Sequence, residues 1–205
     1  MKNVREIIGG LGNILFKQAY LWSQFRDGQV PDIYLQSEKY FAKYKEEIRQ
    51  LFGWGIGSQR IDKIALHIRR GDYLKAAQFH VPLWQTDYYK NAVQIFPNET
   101  FLVFCKDNQD KAVDEADKKW CEEYMQNLGV KFEMYEHGIE TDDLNVMANC
   151  KSIIGANSTF SWWAAYLGNH EIRIFPHEKF WFTDGIIRTE LPENIMRLNV
   201  KYLHE

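Results

Sequence analysis

With 205 residues, 45% hydrophobic and 26% charged, the chain has the make-up of an ordinary globular protein, long enough to bury a substantial core in one domain or two small ones. A formal net charge of −3 gives no basic footprint, which argues against a nucleic-acid binder and requires any anion site to be local. Cys105, Cys121 and Cys150 offer neither a C-x-x-C metal spacing nor a paired framework, and no apolar run approaches the ~20 residues of a membrane span, so reduced thiols in a cytoplasmic protein are the expectation.

In chain order, charged Lys2, Arg5 and Glu6 lead straight into a glycine turn, without the pattern of a signal peptide, and Val4–Ile8 is a short candidate strand. Gly9-Gly10-Leu11-Gly12-Asn13 reads as a turn, and Ile14–Arg26 as a helix with Leu15, Ala19 and Trp22 at helical spacing. Strand, glycine turn and helix are the parts of a phosphate loop, but the spacing fits neither a dinucleotide fingerprint nor a P-loop, and simple turn chemistry explains it equally. Asp27–Ile33 is a connection, and Tyr34–Phe41 leads into a charged helix, Ala42–Phe52, with Tyr44, Ile48 and Leu51 on one side. Gly53, Gly55 and Gly57 break the chain, which places a boundary between residues 1–61 and 62–205.

Beyond that break the period changes. Ile64, Leu66 and Ile68 alternate with Ala65, His67 and Arg69, a strand with two different faces. The irregular aromatic stretch Tyr73–Thr86 follows, then a helix over Asp87–Phe96 with Asp87 as cap. Thr100–Cys105 is an apolar run suited to a strand covered on both faces. Asp110–Leu128 predicts a helix with Val113, Ala116, Trp120, Tyr124 and Leu128 inward and Gly129 at its end. Val130–Tyr135 alternates as a strand, and Thr141–Cys150 reads as a helix capped by Thr141. Ser152–Ala156 is a strand, a helix opens after Asn157-Ser158-Thr159 and stops at Gly168, and Glu171–Phe175 is a last strand before a looser aromatic tail. Strands alternating with helices from Asp62 onward predict a mainly parallel α/β sheet.

Chemistry concentrates in Lys63–Asp72, KIALHIRRGD. Alternation sends His67 and Arg69 to one side and Arg70 to the other, and Gly71 turns the chain into Asp72. Guanidinium forks at a strand end suit phosphate oxygens, although a solvated strand end is the competing reading. The amides opening the helix at Ser158–Phe160, with the Ser158 and Thr159 hydroxyls, also suit a phosphate; a plain helix cap is the alternative. Trp162 and Trp163 lie inside a helix, where core packing outweighs sugar stacking, while Phe79 and Trp84 in the irregular stretch are better placed to touch an acceptor. His80 reads as an exposed loop histidine, and Asp142 and Asp143 as helix-capping carboxylates or base-recognition groups.

His67–Asp72 fits the His-x-Arg-Arg-x-Asp element of α1,2- and α1,6-fucosyltransferases. Gly9–Asn13, Leu35–Phe41 (LQSEKYF) and Asn157–Trp163 (NSTFSWW) resemble, in the same order, three further signatures of the bacterial α1,2-fucosyltransferases of glycosyltransferase family 11. The resemblance spans nearly the whole chain, but only Ile14–Tyr34 separates the first two signatures, where the family usually carries a long stretch. It implies a GT-B-like fucosyltransferase, with a Rossmann-type sheet binding GDP-fucose in residues 62–205 and an abridged acceptor-side region in 1–61. It further implies inverting, metal-independent transfer of L-fucose to the 2-hydroxyl of a galactoside glycan, without a cofactor. By the same resemblance Arg69 is the key contact to the donor diphosphate. Asp72 joins it as a catalytic candidate, with Glu38 another acidic candidate for the base. Gly10, Gly12, Asn13, His67, Arg70, Asn157, Ser158, Thr159 and Phe160 face the donor. Association with a membrane would be at most peripheral.

Overall fold

The computed structural model describes residues 10–27, 36–53, 55–105 and 111–203. The candidate strand Val4–Ile8, together with Gly9, Tyr34 and Leu35, lies outside them. Six parallel strands form one sheet: β1 (Ile61–His67), β2 (Thr100–Phe104), β3 (Lys131–Met134), β4 (Cys150–Ile154), β5 (Arg173–Pro176) and β6 (Met196–Leu198). Their spatial order, β3-β2-β1-β4-β5-β6, is that of a doubly wound, Rossmann-type sheet. Leu66 pairs with Val103 of β2 on one side and Ile154 of β4 on the other, so β1 runs through the middle.

The period-2 pattern predicts the two faces correctly. Ile64, Leu66 and Ile68 join Phe101, Val103, Ile154 and Ile174 in one apolar layer, covered by α3 (Tyr88–Val93) and α4 (Lys111–Leu128). Ala65, Leu102, Phe104, Ile153 and Phe175 face the other way, under α5 (Glu140–Asn149) and α6 (Thr159–Leu167). The region before residue 62 contributes helices to this second layer. From α1 (Leu11–Asp27), Phe16 packs its ring 4.4 Å from Trp162 and 5.0 Å from Trp163, both fully buried, as expected for aromatics inside a helix. Ile48 of α2 (Lys45–Phe52) is buried in the same layer, while Leu51 is exposed. The glycine break is tied down: the Asn149 side chain accepts from Gly57 N (2.6 Å) and donates to Gly55 O (3.2 Å).

Several boundaries move. α1 begins at Leu11, so the glycine stretch supplies the first helical turn, with Asn13 N and Ile14 N donating to Gly10 O. α5 starts at Glu140 behind Ile139, which leaves Thr141 inside the helix instead of capping it. Asp87 precedes α3 but makes no side-chain cap; its carboxylate accepts from Lys201 N instead (2.8 Å). Residues 42–44 form a 3₁₀ turn before α2. Trp120, Tyr124 and Leu128 of the predicted α4 stripe pack against the sheet layer, but the most deeply buried positions are Asp117, Cys121 and Met125, and Ala116 is exposed; Asp117 has a charged partner beneath it. Gly129 closes α4 at φ +69°, the left-handed conformation that suits glycine. The cysteines are all buried and free. Two adjacent tyrosines of α3 reach the strand ends: Tyr89 OH donates to His67 O (2.8 Å), and Tyr88 OH to Gly155 O (2.6 Å).

Candidate functional site

Between β1 and β4 the strand order reverses, and the connections leave toward opposite faces of the sheet. A crevice at the carboxyl ends of the strands follows from that reversal. A cleft of about 390 Å³ occupies it. His67, Arg69, Asp72 and Tyr73 come from the end of β1; Asn157, Ser158, Thr159 and Phe160 come from the turn into α6; Gly10–Asn13 and Gln36 close it from the amino-terminal side.

Arg69 faces the cleft and Arg70 does not. Arg69 Nη2 donates to Asp72 Oδ2 at 2.7 Å, three residues on, and its guanidinium lies 5.7 Å from the Tyr73 ring centroid. This bond takes one side of the fork and leaves other N–H donors for an anion. Asp72 Oδ1 is buried without a partner. Arg70 turns to the opposite face, pairs with Asp117 of α4 and stacks 4.4 Å from the Trp120 ring centroid. Asp117 Oδ2 also accepts from Gly71 N (3.1 Å). The expectation that Arg70 faces the donor is therefore corrected: its charge is spent against a buried carboxylate, fixing the turn that carries Arg69.

α6 opens into the cleft. Ser158 caps it, with Oγ accepting from Phe160 N (3.3 Å), and the other first-turn amides have no partner within the helix. The first turn of α1 lies against it so closely that a Cβ on Gly12 would sit 2.5 Å from the Thr159 carbonyl carbon and 2.7 Å from Phe160 N. Two helix amino termini, each carrying partial positive charge, thus meet at one wall. Asn157 is 2% exposed and its Nδ2 donates to Val81 O (3.0 Å) and Trp181 O (3.1 Å). Its amide protons hold loops together, and its sequon is out of reach of glycosylation.

The other wall is acidic and aromatic. Asp143 is buried; its Oδ2 lies 2.8 Å from His137 Nδ1 and its Oδ1 accepts from Gly138 N (3.0 Å). Burial lowers the pKa of His137, but hydrogen bonds to Asp143 and Cys105 outweigh it and the net movement is upward. His67 behaves oppositely: burial first, then the Arg69 charge, push it down to about 3, so its ring is neutral. Its Nδ1 has no partner, and its ring lies 5.9 Å from that of Phe160.

The cleft thus brings together Gly10, Gly12, Asn13, His67, Arg69, Asp72 and Asn157–Phe160. Trp84 is buried, and neither it nor the exposed Phe79 lines the cleft. Glu38 is also outside; its carboxylate accepts from Glu193 N (3.1 Å). Residues missed or passed over are Gln36, Tyr73, Phe104, His137, Glu140, Trp181 and Phe182, with His80, which is half-buried and stacked 4.1 Å from Tyr73. Gln36 stands inside the quoted LQSEKYF signature, a signal that was available; Trp181 and Phe182 lie in the tail and reach the cleft through a bridge between His80 and Phe182. Among the described residues no group of three His, Cys, Asp or Glu side chains is arranged to hold a metal ion.

Comparison with known proteins places the chain in a family. The chain is 30% identical over 169 residues to an Alpha-1,2-colitosyltransferase of Escherichia coli, covering 72% of this chain and 54% of that protein. It is 34% identical over 123 residues to the O-antigen biosynthesis glycosyltransferase WbnK of Escherichia coli, covering 58% of this chain and 38% of the relative. The matched stretches thus span about half of the one relative and less of the other. No solved structure matches the chain. The sequence profile of glycosyl transferase family 11 matches residues 17–184, most of the chain and all of the cleft lining but Gly10–Asn13, and the chain belongs to that family.

Proposed function

We propose that this glycosyltransferase transfers L-fucose from GDP-fucose to the 2-hydroxyl of a galactoside, with inversion at the anomeric carbon and no metal ion. The observation that carries the proposal is the convergence of Arg69 with the amino terminus of α6 in one cleft at the sheet's reversal point. A nucleotide diphosphate leaving group develops negative charge as the glycosidic bond breaks, and fixed cations with amide donors stabilise it. Arg69, held by Asp72, meets the diphosphate with its free N–H groups. Thr159 and the first amides of α6 take the remaining oxygens. The base extends toward Asp143 and Glu140, whose carboxylates suit the N–H donors of guanine. The acceptor oxygen attacks the anomeric carbon from the face opposite the departing phosphate oxygen and gives its proton to a cleft base, for which Asp72 is the candidate.

Colitosyl transfer is named for one relative, so the donor sugar is the first thing to test. The protein is incubated with GDP-fucose and lactose, with and without EDTA, and the products are analysed by mass spectrometry. A fucosylated product insensitive to EDTA is expected. Product lost with EDTA would overturn the arginine account of charge stabilisation; GDP-fucose bound without product would leave a donor-binding module and remove the transferase reading for this chain.

A further inference from the structure

Gln36 is 7% exposed and lines the cleft, yet the donor reading gives it no task. Its backbone is clamped: Glu190 N donates to Gln36 O (2.9 Å), and a parallel bridge joins it to Thr189. Beside it, Ser37 Oγ and Lys39 Nζ both donate to the Glu190 carboxylate, at 2.5 and 2.7 Å. The side chain sits in a relay. The Thr189 hydroxyl, 1% exposed, donates to Gln36 Oε1, and Gln36 Nε2 donates to Asn13 Oδ1 at 2.7 Å.

A carboxamide has one accepting end and one donating end, and each link in the relay fixes the next. With its oxygen taken, Asn13 has its NH₂ group to offer the cleft. That cleft wall carries two helix amino termini, which attract anions and for which a carbonyl oxygen would be the wrong group to present. We infer that Gln36 is a positioning residue, locking the Asn13 amide so that it presents N–H donors to the donor diphosphate. The inference rests on the GDP-sugar reading.

The test is isothermal titration of GDP and of guanosine into the wild type, Gln36→Met, Asn13→Ala and the double variant. Gln36→Met removes both hydrogen bonds at similar volume. Each single variant is expected to bind GDP about tenfold more weakly, the scale of one charge-assisted hydrogen bond. Guanosine affinity is expected to stay unchanged, and the double variant to be no weaker than the worse single, because both changes remove one interaction. Unchanged GDP affinity in Gln36→Met, equal losses for GDP and guanosine, or additive losses in the double variant overturn the inference. A wild type that binds no GDP would sink the donor reading itself, a separate result. Should Gln36→Met fail to fold, Gln36→Glu carries the test: its carboxylate accepts from both Thr189 and Asn13, turning the Asn13 oxygen to the cleft. Selective loss of GDP affinity is expected there, and retained affinity overturns the inference.

Discussion

Replacing Arg69 by alanine removes a guanidinium whose contacts, the partly exposed Asp72 carboxylate and the Tyr73 ring, lie at the cleft and not in the core. Loss of a preformed donor to developing charge costs about 10²–10³ in rate, so transfer from GDP-fucose by Arg69→Ala is expected to fall by that factor with an unchanged melting curve. Arg70→Ala is expected to act first on stability, and to slow transfer only through the loosened turn that carries Arg69. Asp117, 3% exposed, would be left as a buried charge without its cation, at a cost of about 3 kcal/mol, which urea denaturation reads directly. The dyad shows what one strand's worth of sequence can tell. Alternation separates the two arginines onto opposite sides, but which side holds the ligand depends on Asp117, whose chain position gives no hint that α4 lays it under Arg70.

Among the elements, α1 and α6 meet closely at the site. A methyl group at Gly12 would meet the Thr159 backbone, which cannot swing aside as a long side chain would. Gly12→Ala is therefore expected to lower stability by about 1–3 kcal/mol in thermal unfolding and to weaken donor binding as the two helix ends part. Elements with a strong apolar signal were legible: the alternation of β1, the unbroken run of β2 and the aromatic helix α6 carry their apolar residues where the packing needs them. β6 was not, because a three-residue edge strand, Met196–Leu198, has no room for alternation and is defined by pairing with β5. The stripe of α4 was legible at Trp120, Tyr124 and Leu128 but missed Asp117 for the reason that hides Arg70's role: a buried aspartate looks polar until its cation is seen. Trp84 was misplaced because an aromatic in an irregular stretch looks available, whereas the chain folds back there and buries it.

The molecule as a whole has a definite response to pH. Burial holds His67 and His170 well below their ordinary 6.5, at about 3 and about 4, and lowers His80 as well. The unfolded chain then binds more protons than the folded one as pH falls from 6.5 toward 3, so stability decreases through that window. His137, whose pKa is raised, opposes this just above its ordinary value. Urea midpoints are expected to be clearly lower at pH 4.5 than at pH 7.5, with a shallower dependence in His67→Gln. At the alkaline end, Tyr88 and Tyr89 are raised well above 10 by burial, so stability is present below about pH 10 and lost above it.

The meeting of α1 with α6 has one more consequence. Two like poles facing each other repel, and in the absence of an anion that repulsion falls on whichever helix is less firmly built in. α6 is buried from Ser161 to Leu167 and carries two fully buried tryptophans, whereas α1 reaches the core only from Leu15 onward and leaves Leu11, Asn13 and Ile14 of its first turn, at the cleft wall, partly exposed. The free protein should therefore loosen first at the start of α1, and a bound diphosphate should act as the counter-charge that seats it. By reciprocity, whatever steadies α1 tightens the grip on the diphosphate. Hydrogen exchange at the first turns of α1 is expected to slow markedly on adding GDP, while exchange in β1 and β2 changes little; equal protection everywhere would show that this end of the cleft is already rigid.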